Sequence, residues 1–203
     1  AWTFRLVSLI NPLLLITLLV PLGCWLAPKI GLDAPLSRAL IEGGAVGQVA
    51  KAQFRPALLT GVASAAILLL YGWITLAWFE DTKAADFNMP LVTRLAFGGI
   101  AEELIARWGL MTLFAWGLVR LGLGRSAFVL AALLAALMFA AGHLPMLFLL
   151  VPDVTPAMLA SVLVANAVPG FLFGLLYWKR GLEAAMMAQA IAHLLAWAAA
   201  LLA

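Results

Sequence analysis

Three ionisable side chains stand close together in a strongly apolar part of the chain. Glu102 and Glu103 are adjacent, and Arg107 follows four residues later. Each ionised side chain at the centre of a bilayer costs roughly 2.5 to 3.5 kcal/mol, whereas a leucine or isoleucine returns only about 0.3 to 0.6 kcal/mol. The three groups are therefore tolerated only if they pair or face a polar cavity. Such a cluster is typical of a functional site.

The spacing separates the two glutamates by role. Residues four apart lie on one face of a helix, so Glu103 and Arg107 are predicted to form an ion pair. Neighbours in sequence point in different directions on a helix, so Glu102 faces elsewhere. We interpret Glu103 and Arg107 as structural, because an arginine in lipid needs a partner. Glu102 is then the carboxylate available as a general base.

Both histidines of the chain, His143 and His193, also lie within or at the end of apolar segments. At 1.5 Å per residue, Glu102 and His193 are predicted near the middle of the membrane. Gln189 precedes His193 by four residues and shares its helix face. Considered alone, each of these polar residues has a structural explanation. His143 is explained as a histidine packed at a helix end, and Gln189 with His193 as side chains that hydrogen-bond to a neighbouring helix. Together with the carboxylates, these residues indicate one polar chamber that contains a general base.

Composition predicts an all-α, polytopic membrane protein. Hydrophobic residues make up 66% of the 203 residues and charged residues only 10%, with a mean hydropathy of +1.12, far above that of soluble domains. The net charge of +3 comes from basic residues scattered along the chain. They form no basic stripe, so we do not expect nucleic-acid binding. The single cysteine, Cys24, excludes an internal disulfide and a multi-cysteine metal site.

Six segments are long enough to cross a membrane, which takes about 20 apolar residues. We expect them to form one integral membrane domain over residues 1–203, with membrane lipid around it. Residues 35–54 mix charged and aliphatic side chains, which suits either a helix on the membrane surface or a plain connecting loop. The predicted spans are 5–27, 56–79, 90–119, 126–143, 156–178 and 182–203.

Basic residues predict the orientation of the chain. Three of them, Arg5, Lys83 and Arg94, fall on one side of a six-span arrangement, and eight fall on the other. The larger group favours a cytoplasmic face, with both termini outside. Those eight are Lys29, Arg38, Lys51, Arg55, Arg120, Arg125, Lys179 and Arg180. The N-terminal residues run into apolar sequence without an A-x-A-like cleavage site, so we expect a first membrane helix and no removable signal peptide. We expect the protein in a bacterial inner membrane.

The sequence lacks the signatures of several known classes of membrane protease. It contains no H-E-x-x-H pair, no G-x-S-G serine and no G-x-G-D aspartate. We therefore expect no cofactor. A zinc ion held by Glu102, Glu103, His143 and His193 is the alternative that these residue types leave open.

Two motifs resemble those of a known family. Gly99-Ile-Ala-Glu102-Glu103-Leu-Ile-Ala-Arg107 resembles the E-E-x-x-x-R motif of the CAAX protease and bacteriocin-processing (CPBP) intramembrane proteases. Phe139-Ala-Ala-Gly-His143 resembles the F-x-x-x-H motif of the same family. The resemblance covers a core of about residues 91–203.

The third motif of that family, H-x-x-x-N or H-x-x-x-D, is altered here. The preceding stretch, Gly174-Leu-Leu-Tyr-Trp-Lys-Arg-Gly-Leu-Glu-Ala-Ala, fixes a register that puts Gln189 in the place of the histidine and His193 in the place of Asn or Asp. A second register matches His193 to the histidine and puts Trp197 in the Asn place. The first needs no gap and keeps both positions polar.

The resemblance implies a glutamate-dependent endopeptidase that acts on a membrane-associated or lipidated peptide or protein. Glu102 and His143 would hold and deprotonate a water, and Gln189 and His193 would donate hydrogen bonds to the oxyanion. The alternative is a non-proteolytic membrane partner that retains the polar cluster to bind a ligand or another membrane subunit.

Overall fold

The computed structural model describes residues 2–82 and 89–202, and the side chains of 10–82 and 89–202. In these ranges the regular structure is helical throughout, and the chain is a polytopic helical membrane bundle. Five helical segments are long and apolar enough to cross a membrane: Ile10–Ile30, Val46–Trp78, Ser126–Leu150, Pro156–Arg180 and Leu182–Ala200. The Arg5 side chain and Lys83, two of the predicted loop anchors, lie outside the described parts.

The helices follow the predicted spans in order, with shifted ends. They are α1 (Trp2–Leu26), α2 (Pro35–Glu42), α3 (Val46–Thr75), α4 (Leu91–Thr93), α5 (Thr112–Arg120), α6 (Ser126–Ala141), α7 (Leu144–Leu150), α8 (Pro156–Arg180) and α9 (Leu182–Ala200). Short 3-10 helices follow α1 and α3, at Ala27–Ile30 and Leu76–Trp78.

The predicted surface segment at 35–54 is divided between two helices. Only α2 stands apart, and it ends at Gly43, which has a left-handed φ of 72° that favours glycine. The remainder belongs to α3, which begins at Val46 and therefore starts ten residues before the predicted span. Hydropathy placed that boundary too late, because the first turns of α3 carry Gln48, Lys51 and Gln53.

The charged segment at 90–119 is helical but is not among the five apolar spans. Between α4 and α5 the backbone forms two π-helical segments, π1 (Arg94–Glu102) and π2 (Leu104–Met111), joined at Glu103. At the end of π2 the Thr112 N–H donates to the Arg107 carbonyl five residues earlier. Wide turns of this kind are rare in proteins as a whole, but those that occur are often found at functional sites.

Small residues bring the helices around the charged run close together. Alanines of α6 are buried against α8, where a Cβ on Gly174 would lie only 2.9 Å from the Ala132 Cβ. A Cβ on Gly61 of α3 would lie 2.7 Å from the Ala188 carbonyl of α9. Side chains this small allow close backbone approach in membrane bundles. Helices α6, α8 and α9 pack around the continuous helical segment formed by α4, π1, π2 and α5, which we call the 91–120 run.

Candidate active site

A cavity of about 320 Å³ lies between the 91–120 run, α6, α8 and α9. Its walls include the four residues predicted to carry the chemistry: Glu102, His143, Gln189 and His193. These residues come from three helical segments up to 91 positions apart in the sequence, so it is the tertiary fold that brings Glu102, His143 and the Gln189–His193 face of α9 together. The structure thus places the four residues of the predicted chamber in the wall of one cavity.

Glu102 is held in this cavity by a hydrogen bond from another helix. It ends π1, and its Oε2 accepts a bond of 2.8 Å from Nε2 of Gln189 on α9. Gln189 is buried, whereas Glu102 is only partly buried. The carboxylate is therefore oriented through one oxygen, while its other oxygen, Oε1, is left for a ligand or a water.

Glu103 and Arg107 form an ion pair behind the cavity wall. Their Oε1 and Nη1 atoms lie 2.9 Å apart, with side chains 0% and 2% exposed. The contact is close but is not aligned as a hydrogen bond, and both Glu103 oxygens lack such a bond among the described residues. Electrostatic attraction therefore dominates this pair.

Arg107 also ties the 91–120 run to two neighbouring helices. Its Nη2 donates 2.8 Å to the Gly170 carbonyl of α8. Its guanidinium lies 5.2 Å from the ring centre of Phe139 and 5.5 Å from that of Phe173, within the range of a cation–π contact. Neither Glu103 nor Arg107 lines the cavity, so the pair supports the walls from behind.

His143 is oriented by the first residue of its own motif. It follows the end of α6, and its Nδ1 lies 2.9 Å from the Phe139 carbonyl. A carbonyl can only accept, so Nδ1 carries the hydrogen and Nε2 presents its lone pair. The Phe139 ring meets the imidazole edge-on at 4.8 Å between centres. Phe139 thus positions His143 while it also contacts Arg107.

Gln189 and His193 lie one turn apart on α9. The Gln189 Oε1 and the His193 Nε2 are both buried without a hydrogen-bond partner among the described residues. The His193 Nε2 packs against Gly98 so closely that a Cβ added to Gly98 would lie 2.4 Å away. Glycine at 98 is therefore the residue that leaves room for the His193 ring.

Two polar residues of the cavity wall were missed as site residues in the sequence. Asn166 lies on α8, where its Nδ2 donates 2.8 Å to the Val162 carbonyl. Arg94 begins π1 and was predicted only as a loop anchor. In both cases the available signal was a polar side chain inside an apolar span, which is itself a pointer to function in a membrane protein.

The four residues of the zinc alternative are not gathered as one ligand set. Glu103 is turned to Arg107, away from the cavity that Glu102, His143 and His193 line. Within residues 2–82 and 89–202 no group of three or more His, Cys, Asp or Glu side chains has the arrangement of a metal site.

Comparison with known proteins gives one family. The family described as "Type II CAAX prenyl endopeptidase Rce1-like" matches residues 85–195. The match covers more than half of the chain and contains all four predicted site residues. Comparisons with curated proteins and with solved structures give no match.

Proposed function

The chain belongs to the type II CAAX prenyl endopeptidase Rce1-like family, and from that premise we propose that it hydrolyses a peptide bond by means of a water activated by Glu102. The substrate is a membrane-associated or lipidated peptide or protein that enters the cavity from the membrane or its surface. The family supports protease activity. The choice of residues rests on the cavity geometry.

The convergence of Glu102 and His143 on one cavity carries this proposal. In the proposed step, the Glu102 carboxylate accepts a proton from a water, and the lone pair on His143 Nε2 accepts a hydrogen bond from the same water. The resulting hydroxide attacks the carbonyl carbon of the scissile bond. Glu102 then passes its proton to the amide nitrogen as the C–N bond breaks, which leaves a carboxylic acid and an amine; the acid afterwards gives its proton to the amine or to water.

Gln189 and His193 are proposed to stabilise the negative charge on the carbonyl oxygen. One Nε2 hydrogen of Gln189 is used on Glu102, and the amide has a second hydrogen to donate. Since the His193 Nε2 is enclosed against Gly98, we assign the donor role to Nδ1. Removing one such donor typically lowers the rate by about 10²- to 10³-fold. Gln189 thus both orients the base and serves the oxyanion.

The test is cleavage by the purified protein in lipid nanodiscs. Peptides with and without a prenyl group on cysteine are incubated with wild type and with His143→Ala, and the products are identified by mass spectrometry. We expect a defined cleavage product from wild type and a loss of about 10²-fold or more in rate for His143→Ala, the usual scale of general acid–base assistance. Equal product formation by the variant, or no product from wild type with any peptide, contradicts the proposal.

A further inference from the structure

A cavity of about 350 Å³ lies apart from the active site, at the turn between α8 and α9. Its walls come from the end of α8, the turn at Gly181, the first turns of α3 and the segment 31–35. None of its lining residues belongs to the active-site cavity, and the hydrolytic step makes no use of it. We call this space the junction cavity.

The junction cavity lies where four apolar helical segments reach the membrane surface. The segments Ile10–Ile30 and Pro156–Arg180 end beside it, whereas Val46–Trp78 and Leu182–Ala200 begin there. In a bilayer the lipid headgroups lie at this level, on either side of about 30 Å of hydrocarbon. A lipid that remains in the membrane can therefore place its headgroup in the cavity.

Hydrogen bonds between distant parts of the chain hold the walls of the junction cavity together. The Leu182 N–H donates 3.0 Å to the Asp33 carbonyl, and the Gln53 Nε2 donates 2.8 Å to the Arg180 carbonyl. Gly181 has a φ of 95°, and a Cβ there would overlap a proline ring of the facing segment. The cavity is therefore built into the packing of the helices.

Two basic side chains at the end of α8, Lys179 and Arg180, line this cavity and are exposed. The Lys179 ammonium lies 3.4 Å from the ring centre of Trp178, a residue of the same wall. The Arg180 guanidinium makes no hydrogen bond, ion pair or ring contact with the described residues. Its five N–H donors are suited to the oxygens of a phosphate.

The acidic side chains of this region are engaged elsewhere. Asp33 forms an ion pair with Arg38, with 2.5 Å between Oδ2 and Nη2. Glu183 is buried, and its Oε1 accepts a hydrogen bond of 2.8 Å from the Ser37 N–H. Neither carboxylate pairs with a basic side chain of α8. The positive charge at the end of α8 is therefore available to an anionic ligand.

The cavity wall also holds a buried hydrogen-bond acceptor. Gln53 is 3% exposed, and its Nε2 lies 2.8 Å from the Arg180 carbonyl and 3.4 Å from the Glu183 Oε2. Its Oε1 has no hydrogen-bond partner among the described residues, which is uncommon for a buried polar atom. A hydroxyl group is a donor that suits this oxygen.

We propose that the junction cavity binds the headgroup of an anionic phospholipid, with the phosphate on Lys179 and Arg180 and a headgroup hydroxyl on Gln53. Phosphatidylglycerol has this chemistry. Basic cavities between transmembrane helices bind anionic headgroups in this way. The volume of about 350 Å³ is at the small end of the roughly 300 to 1,000 Å³ of ligand sites, which suits a headgroup whose acyl chains stay in the bilayer.

Native mass spectrometry of the purified, delipidated protein in detergent tests this site by counting bound lipids. Phosphatidylglycerol and phosphatidylcholine with identical acyl chains are titrated in parallel. We expect one saturable site that prefers phosphatidylglycerol by about 10- to 30-fold, because each basic residue near an anionic headgroup contributes about fivefold. Peptide cleavage is not measured, so the result is independent of the protease proposal.

Variants at the end of α8 then assign this preference. We expect Arg180→Gln to lower it about fivefold, and the double variant Lys179→Gln with Arg180→Gln to remove it. Arg55→Gln is the matched control, because Arg55 is an exposed arginine two residues after Gln53 on α3 and does not line the cavity. This control should retain the full preference.

Three results overturn the lipid site. Equal binding of the two lipids by wild type does so, and this comparison needs no variant to fold. An equal loss of preference in Arg180→Gln and Arg55→Gln would indicate a general attraction of basic residues for anionic lipid. Displacement of the lipid by soluble glycerol phosphate at a similar concentration would mean that the cavity takes a free phosphate. Phosphatidylethanol has the same phosphate diester without a hydroxyl, and its binding as tightly as phosphatidylglycerol would refute the contact with Gln53.

Discussion

Gln189 Nε2 donates a 2.8 Å hydrogen bond to Glu102 Oε2 and thereby links α9 to the end of π1. This bond joins the altered third motif of the sequence to the glutamate of the first. In the preferred register Gln189 stands where the family has histidine. Gln189 therefore has a structural role at this position, because its buried amide orients Glu102, the proposed base.

Replacing Gln189 with alanine is expected to lower kcat/KM by at least about 10²- to 10³-fold, the usual cost of one oxyanion donor. The change removes that proposed donor and also the hydrogen bond that orients Glu102. The measurement is cleavage of one peptide under kcat/KM conditions. Gln48→Ala, at an exposed glutamine of α3, should retain wild-type kinetics. If both variants behave alike, Gln189 does not orient the base.

Gly98→Ala is expected to reduce activity by displacing the His193 ring. A methyl group at this position would lie 2.4 Å from His193 Nε2, so the imidazole or the helix must move. Gly117→Ala on α5 is the control, because a Cβ there meets no atom within 4 Å and alanine favours a helix by up to about 1 kcal/mol. Activity assays and thermal melting in detergent compare the two. Wild-type activity in Gly98→Ala would show that the position of His193 does not matter.

Breaking the Glu103–Arg107 pair is expected to destabilise the protein more than removing both partners. Arg107→Met leaves a buried carboxylate unpaired, which costs about 3 to 5 kcal/mol. In the double variant Glu103→Leu with Arg107→Met, no buried charge is left alone, so part of that loss should return. Melting temperatures of wild type, both single variants and the double variant form the cycle. Additive losses would mean that the two side chains do not act as a pair.

Chelators are expected to leave activity unchanged, since the proposed mechanism uses a carboxylate to activate water. Purified protein is treated with EDTA or 1,10-phenanthroline and then assayed on the same peptide. A zinc-dependent enzyme would lose activity and regain it when zinc is added back. That pattern of loss and recovery would favour the zinc alternative.

The sequence was sufficient to predict the helical membrane fold, because long apolar runs allow little else in a bilayer. It also pointed to Glu102, His143, Gln189 and His193 as members of one cavity, since each is a polar residue in an apolar span. Their convergence depends on contacts between distant helices, such as Gln189 with Glu102, and had to be inferred from residue type and motif.

Other features were not predicted from the sequence. The π-helical turns at 94–111 arise from five-residue hydrogen bonding, which composition and hydropathy do not report. The start of α3 at Val46 was missed because its polar first turns look like a loop. Arg94 lay near the start of the predicted span 90–119 and was counted only among the basic residues that set orientation, because a charge near a span end resembles an interfacial anchor. The orientation of the chain across the membrane stays a prediction from the basic residues.

The most direct test of the central claim is the rate of peptide hydrolysis by Glu102→Gln. The amide is nearly isosteric with the carboxylate but cannot accept the proton of a water, so we expect turnover to fall by at least about 10²-fold. Thermal stability in detergent should stay close to that of wild type, and Glu80→Gln, at an exposed glutamate, should remain active. Full hydrolytic activity in a folded Glu102→Gln protein would contradict the assignment of Glu102 as the base.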